Sequence, residues 1–382
     1  MNKLQKSGVF AFTIFIFTLV SCNDPIFYTV SQEERPLKPL IAGPSTNFVE
    51  FENYMRVAAG GAIYSYRVHI PGCPKNCDPK CKENWESFPA VNERILQLAV
   101  VGSKLYARLE KGRIISFSNV SNALTLDAAE ITIPGQTIEG IYAANNNLFI
   151  STASGKTHSI YYLSGSTPTQ ISPPSGHTFD MLVGVAYAGS AYYLCNKDKA
   201  GIFYASTLGG TLTFIPDSDK DYTGIINSAA NKVVAIARGG QLYDVSSSLA
   251  TVYTGIGFGD RRSTGALGIF KNDSGNLLLA GRQDMEYTIT SGYTHGYLEI
   301  EFDGAGTITG TSFATPGGKD ISSMLTGSNE HYTSSIGSRI VRYIHQVSSA
   351  IDDDKTLFAS TPRGVWSYRE RSPGKFTWNA EN

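Results

Sequence analysis

The sequence is poor in the residues from which metal and redox centres are built. It has five cysteines and six histidines among 382 residues. Zinc and iron–sulfur sites need several such ligands at short, regular intervals. The histidines are scattered without such spacing, at His69, His158, His177, His295, His331 and His345. The sequence therefore predicts no metal site and no other cofactor.

An excess of charge of either sign is also lacking. The chain has 32 basic and 33 acidic residues. Proteins that bind nucleic acids or anionic membrane surfaces usually carry a marked excess of lysine and arginine. The balance therefore predicts that nucleic acid is not a partner.

No apolar run is long enough to cross a bilayer as a helix, which takes about 20 residues. The longest, residues 9–20, follows Lys3 and Lys6 and runs into Leu-Val-Ser before Cys22. A short basic segment, an apolar core of about a dozen residues and a small residue before the cut are typical of an export signal. We therefore expect residues 1–21 to be a signal peptide that is removed.

The Leu-Val-Ser-Cys ending resembles the lipobox of bacterial lipoprotein signals. The resemblance implies that Cys22 becomes the first residue and carries a diacylglyceryl group and an N-acyl chain such as palmitate. Two acyl chains are enough for firm membrane anchoring. A plain secretory signal is the alternative. Residues 22–45 contain four prolines and no sustained period, so we interpret them as a flexible tether.

What the sequence has in abundance is the pattern of short β-strands. Residues 95–119, ILQLAVVGSKLYARLEKGRIISFSN, alternate apolar and polar positions between Gly/Ser turns and predict three antiparallel strands. Similar units recur seven times, every 40 to 70 residues, often with a more polar fourth strand. Such units bury their faces only against one another. We predict an all-β fold over residues 46–382, a β-propeller with seven four-stranded blades. Six or eight blades and a pair of β-sandwiches are the alternatives.

The lipobox, the Asp24-Pro25-Ile26-Phe27 tether and the closing Gly-Val-Trp-Ser-Tyr at 364–368, with Trp378-Asn379, together resemble a family of exported spirochaetal lipoproteins of the treponemal type. Members have propeller-like bodies and are mostly of unknown function. The resemblance implies a location and a fold, but no activity.

One end of the predicted propeller carries the longest insertions, residues 282–295 and 304–338. Loops that join second to third strands, or one blade to the next, all emerge at this end, and long loops on a rigid scaffold often bind ligands. Arginine and tyrosine there suit carboxylates, sugars or protein surfaces. The candidate ligand-binding residues are Arg238, Arg261, Arg282, Tyr287, His331 and Arg363, with Arg262 and residues 197–199 on the same rim. A merely solvated rim is the alternative.

Two local motifs offer further alternatives. Cys73, Cys77 and Cys81 lie in one Pro/Lys loop, where a disulfide between two of them is expected outside the cytoplasm. Metal binding is disfavoured by their spacing, and Cys195 is predicted to be an inert core thiol. Gly-Thr-Ser-Phe-Ala-Thr-Pro at 310–316 resembles the serine motif of subtilisin-like proteases, but Ser312 lacks suitably spaced partners, so a fourth strand is the better interpretation.

Together these observations predict a membrane-anchored binding or scaffold propeller of the cell envelope, with its body in the periplasm or at the cell surface. A protein or a glycan is the expected partner, and no catalytic residue is predicted. The alternative is a propeller enzyme, a hydrolase or lyase acting on sugars or peptides. Two facing carboxylates among Asp284, Glu286, Asp320 and Glu330 would favour that alternative.

Overall fold

The structure is a computed structural model. It describes residues 41, 43–67, 85–89, 91–120, 123–227, 232–245, 249–253, 265–271, 275, 277–285, 293–302, 308–313, 340–352, 354–372 and 375–381. All of them belong to one compact unit, Leu40–Glu381. Within these residues, no helix has the length and apolarity that crossing a membrane would require.

The described residues form seven sheets of four antiparallel strands, and each sheet is built from consecutive strands. We number the sheets as blades 1 to 7 in chain order. Blade 1 contains β1 (Val49–Phe51), β2 (Tyr54–Ala59), β3 (Ala62–Tyr66) and β4 (Trp85–Pro89). Blade 2 contains β5 (Ile95–Val101), β6 (Lys104–Leu109), β7 (Ile114–Val120) and β8 (Ala123–Ile131). Blade 3 contains β9 (Thr137–Ala144), β10 (Asn147–Ser154), β11 (Thr157–Ser164) and β12 (Thr167–Ile171).

The later blades repeat this arrangement. Blade 4 contains β13 (Leu182–Ala188), β14 (Ala191–Asn196), β15 (Ile202–Ala205) and β16 (Thr213–Phe214). Blade 5 contains β17 (Tyr222–Asn227), β18 (Val233–Ala237), β19 (Leu242–Val245) and β20 (Leu249–Tyr253). Blade 6 contains β21 (Gly265–Lys271), β22 (Leu277–Met285), β23 (Tyr293–Phe302) and β24 (Ile308–Phe313). Blade 7 contains β25 (Tyr343–Gln346), β26 (Leu357–Thr361), β27 (Gly364–Ser372) and β28 (Lys375–Ala380).

Tight turns between the first and second strands set the register of the blades. In blade 2, Val101 pairs with Lys104, so the hairpin has a two-residue turn that begins at Gly102 with φ of 57°. In blade 3 both turn residues, Asn145 and Asn146, have positive φ, as a type I′ turn demands. These turn residues match the twist of the flanking strands, which is why the alternating pattern folds as hairpins.

Apolar side chains pack mainly between neighbouring blades. One cluster joins Leu105 and Phe117 of blade 2 to Ile63 of blade 1, and similar clusters follow between later blades. Cys195 belongs to the cluster between blades 4 and 5, where it is fully buried and unpaired, and burial raises the pKa of its thiol. It is the inert core thiol that was expected.

The first strands of successive blades contact one another in chain order, from β1 to β25. Blades 7 and 1 then meet through a shared apolar cluster that contains Phe48, Phe358 and Val365. Polar contacts reinforce this junction: Tyr66 donates to Asp352 over 3.1 Å, and the Trp85 indole donates to Glu381 over 2.7 Å. The sheets therefore close into a ring, and the predicted all-β propeller is confirmed.

Two details of the sequence interpretation concern blade 6. Ser312 lies in β24, the fourth strand, as expected for a chance match to the protease motif. Residues 282–295 were expected to form one long loop, but both ends of this segment are paired strand, with Gln283 opposite His295 and Met285 opposite Tyr293. The prediction was wrong there because polar and aromatic residues continue the hairpin beyond the apolar core, where cross-strand pairing alone is enough.

Candidate functional site

A cavity of about 500 Å³ lies where the first strands of the blades meet. We call it the central cavity. Residues from β5, β9, β13, β17 and β21 line it, together with Tyr343 of β25 and Asn47 just before β1. Its volume falls in the range of about 300–1,000 Å³ that is typical of small-molecule sites. The fold therefore places a pocket of ligand size on the axis of the ring.

Five successive first strands carry a β-bulge at the same level, with one extra residue opposite the second strand. We call these five residues the bulge ring; they are Leu96, Glu139, Val183, Thr223 and Leu267. All five line the central cavity. Bulges re-aim side chains and are frequent beside active sites. Here they produce a mostly apolar ring with one carboxylate and one hydroxyl.

The residue after the bulge is a glycine in blades 3 to 6. Two of these glycines lie against the next blade. A Cβ on Gly184 would lie 2.9 Å from Cγ2 of Ile225, and one on Gly224 would lie 3.1 Å from Cγ2 of Ile269. At these two positions a larger residue would press on the neighbouring first strand, which lines the cavity.

In blade 2 the residue after the bulge is Gln97, and in blade 1 the amide of Asn47, just before β1, makes the equivalent contact. Gln97 donates to the carbonyl of Ile141 over 2.6 Å and accepts from its N–H over 3.0 Å. Asn47 holds Leu98 in the same way, over 2.8 and 2.9 Å. An amide has both a donor and an acceptor, so it satisfies both backbone groups of one residue on the adjacent strand edge.

Three cations line the central cavity at the ends of second strands, namely Arg108, Lys197 and Arg238. Lys197 lies 3.8 Å from Asp198, and Arg238 lies 3.7 Å from Asp221. These two cations are therefore partly neutralised by their own loops. Within the described part of the chain, Arg108 has no such carboxylate partner.

The guanidinium of Arg108 is tied to the blade 3 backbone beside Glu139. Its Nη1 donates to the carbonyl of Ile138 over 3.3 Å, while its Nε is buried and has no hydrogen-bond partner in the described part of the chain. Burial lowers the pKa of Arg108, and the nearby Tyr142, Tyr343 and Glu139 offset this only in part. The arginine remains charged, because its ordinary pKa is far above neutrality.

Tyr142 lies on the wall of the central cavity and joins blade 3 to blade 4. Its hydroxyl donates to the carbonyl of Leu182 over 2.5 Å, and the N–H of Leu182 donates to Ser151 over 3.0 Å. Burial raises the pKa of Tyr142 well above its usual range. This phenol stays protonated and therefore keeps its hydrogen bond to the carbonyl of Leu182, which holds the cavity wall in place.

Glu139 forms a chain with His158 and Asp180. Oε2 of Glu139 lies 2.9 Å from Nδ1 of His158, and Nε2 of the same ring lies 3.5 Å from Oδ1 of Asp180. The three come from the first strand of blade 3, its third strand and the segment leading to blade 4. Because both ring nitrogens face carboxylates, the imidazole positions Glu139 rather than presenting a free nitrogen to a bound molecule.

Unsatisfied polar atoms also mark the central cavity. Arg108 Nε, the Tyr222 hydroxyl and Thr223 Oγ1 are buried and have no hydrogen-bond partner among the described residues. Most buried polar groups in folded proteins are paired, and exceptions are often explained by a missing ligand or water. These three atoms give the cavity lining one unused cationic donor and two unused hydroxyls.

The predicted ligand-binding residues have different outcomes. Arg238 lines the central cavity, as does Lys197. Arg363 is exposed in the turn after β26 and is not among the residues that line the cavity. Arg282 lies in β22, and its side chain is outside the described residues. The following also lie outside them: Cys22, Cys73, Cys77, Cys81, Arg261, Arg262, Tyr287 and His331.

The sequence interpretation missed Arg108, Glu139 and the partners of His158. The side chains of Asp284, Glu286, Asp320 and Glu330, considered for an enzyme, lie outside the described residues. A signal for Glu139 was present, since a glycine inside a strand pattern often marks a bulge, and Gly140, Gly184, Gly224 and Gly268 each follow a bulged residue.

No family model matches the chain, and no curated protein matches it. Solved structures do. Virginiamycin B lyase from Staphylococcus aureus is similar with a TM-score of 0.55 at 10% identity, over 85% of this chain and 96% of that one. A chain of the mitotic checkpoint complex has a TM-score of 0.54 at 11% identity, over 88% and 92%. YCF48 from Cyanidioschyzon merolae has a TM-score of 0.51 at 14% identity, over 85% and 95%.

These similarities, at such low identity, concern the fold alone. They agree with the ring of sheets described above and place the chain in the class of β-propellers.

Proposed function

We propose that this protein is a lipid-anchored binding protein of the cell envelope whose propeller holds a small ligand in the central cavity without transforming it. The observation that carries the proposal is the cavity itself, whose lining includes one arginine nitrogen and two hydroxyls that are buried and that no described residue satisfies. A pocket of this size with a few convergent polar groups is the usual form of a small-molecule site.

A variant that fills the central cavity tests the binding part of the proposal. Val183 belongs to the bulge ring, so Val183→Trp should occupy the space of a ligand. Compounds from a thermal-shift screen should raise the Tm of the parent protein and fail to raise that of Val183→Trp. Val120→Trp is the matched control, because Val120 is 55% exposed and outside the cavity. Ligands that stabilise all three proteins equally would contradict binding in the cavity.

The anchoring part rests on the lipobox and is tested separately. A Cys22→Ala variant should leave the membrane fraction of cells that express it, because the acyl chains would have no attachment point. Equal sedimentation of the variant and the parent with membranes would rule out acylation of Cys22 as the anchor. Protease treatment of intact cells would then show whether the body is exposed at the surface.

A propeller enzyme, a hydrolase or lyase, is the second candidate, and the chain Glu139–His158–Asp180 favours it. In this candidate the cavity-lining carboxylate of Glu139, oriented by the imidazole, is the general acid or base. Turnover of a glycoside or peptide by the parent protein, lost in His158→Ala, would establish this alternative. Binding in the central cavity with no turnover by the parent would exclude catalysis for that ligand.

A further inference from the structure

The central cavity holds two opposite charges close together without pairing them. Arg108 is fixed by the carbonyl of Ile138, and Glu139 is the very next residue along β9. Yet Glu139 is turned to His158 at 2.9 Å, and Arg108 Nε has no hydrogen-bond partner among the described residues. Neighbouring opposite charges that do not pair with each other leave part of their hydrogen-bonding capacity for a ligand.

The surrounding wall is apolar. Leu96, Val183 and Leu267 of the bulge ring line the same space, with Phe270 beside them. Lys197 and Arg238 have their own carboxylates at 3.8 and 3.7 Å, so they add little net charge. The cavity therefore offers one cation, one anion and an apolar surface.

We propose that the central cavity binds a small zwitterion, a molecule with one carboxylate, one ammonium group and an apolar body. This inference rests on the proposed function. Arg108 binds the carboxylate, Oε1 of Glu139 accepts from the ammonium group, and the apolar members of the bulge ring contact the body. The hydroxyl of Thr223 supplies a further hydrogen bond. Free apolar amino acids and apolar dipeptides share this chemistry.

Four probes separate the elements of the proposal in calorimetric titrations of the full chain. They are leucine, leucyl-leucine, leucinamide, which lacks the carboxylate, and N-acetylleucine, which lacks the ammonium group. We expect leucine or leucyl-leucine to bind, and the stronger of the two identifies the source. Leucinamide and N-acetylleucine should bind about tenfold or more weaker than leucine, because each loses a charge-assisted contact.

Variants assign each contact to its residue. Arg108→Gln should weaken the binding of leucine about tenfold or more and leave the affinity for leucinamide unchanged. Glu139→Gln should weaken the binding of leucine and leave the affinity for N-acetylleucine unchanged. Arg363→Gln and Glu130→Gln are the matched controls, because both residues are exposed and outside the cavity lining. If Arg108→Gln does not fold, Glu139→Gln with N-acetylleucine decides the question.

Two results would contradict the proposal that the ligand is a zwitterion. One is equal binding of leucine and N-acetylleucine by the parent protein. The other is failure of both zwitterionic probes while a different compound binds the parent and is excluded by Val183→Trp. Either result would leave the proposal of a ligand in the central cavity intact and would contradict only the chemical class assigned to that ligand. A different result would contradict the proposed function itself. In that case every ligand found would bind Val183→Trp as tightly as it binds the parent protein.

Discussion

Neighbouring blades are joined around the central cavity in two different ways. Between blades 1 and 2 and between blades 2 and 3, the amides of Asn47 and Gln97 bond both backbone groups of a residue on the next strand. We call these the amide seams. Between blades 4 and 5 and between blades 5 and 6, Gly184 and Gly224 leave room for an isoleucine of the next blade. We call these the glycine seams.

The difference shows that one structural requirement, covering the exposed edge of the next first strand, is met by opposite means. An amide satisfies that edge with hydrogen bonds, whereas a glycine lets apolar atoms come close enough to cover it. The amide seams should therefore be sensitive to loss of polar groups, and the glycine seams to added volume.

The largest effect is expected when a glycine seam is overfilled. Gly184→Val places branched carbon where a Cβ alone would lie 2.9 Å from Ile225. Overpacking typically costs about 1–3 kcal/mol, and we expect the upper end because the obstacle is a neighbouring strand. Urea denaturation measures the free energy of unfolding. Ala143→Val, at an exposed cavity-lining position of β9, is the control and should change stability by less than about 0.5 kcal/mol.

An amide seam should break when its hydrogen bonds are removed without a change of size. Gln97→Leu leaves the N–H and carbonyl of Ile141 without their partner, which should cost about 1–3 kcal/mol. The exposed Gln170 provides the control, since Gln170→Leu should be nearly neutral. Urea denaturation of Gln97→Leu that matches the parent would show that the amide is not what holds this seam.

The seam between blades 7 and 1 sharpens the comparison, because hydroxyl and carboxylate groups join it. Tyr66→Phe removes the hydrogen bond to Asp352, while Thr356 and the N–H of Asp354 still donate to that carboxylate. We therefore expect a loss of only about 1 kcal/mol in the free energy of unfolding. A loss above about 3 kcal/mol would mean that the hydroxyl supports the whole junction rather than one contact.

The same seam should give a small dependence of stability on pH. Burial alone would raise the pKa of Glu50, but hydrogen bonds from His345 and Ser348 outweigh it and lower the pKa below the ordinary value of 4.5. A carboxyl with a lowered folded-state pKa contributes stability above its unfolded-state value and loses it as the pH falls through the folded-state value. Glu50→Gln should therefore flatten the fall of Tm below pH 4.5. An unchanged acid slope would assign that fall to other carboxyls.

Much of the fold could be predicted because its signals are local. The turn at Gly102 and the alternation on either side place β5 and β6 at their observed bounds. Apolar first strands recur in each unit and polar fourth strands in many of them, so repetition predicted the ring of sheets. The extended hairpin of blade 6 was missed because strands there continue beyond the apolar pattern.

The site was harder to predict because its partners come from different strands. Glu139, His158 and Asp180 look scattered along the chain, since the spacing that brings them together is set by the width of a blade and not by a helical or strand period. Arg108 could not be singled out from the sequence, because its distinguishing feature is the lack of a carboxylate partner among the described residues. The glycines that follow four of the five bulges are a signal in the sequence, as are the predicted Lys197 and Arg238, which line the cavity.

Each blade of this propeller uses four consecutive strands, and blades 1 and 7 share none. A ribosome that extends the chain from its amino end can thus finish one sheet before the next begins. Until blade 7 has been made and has met blade 1, the apolar side chains of blade 1 that pack against blade 7 stay exposed and the ring is open. Nonsense mutations within blade 7 should therefore yield aggregates instead of partly active protein.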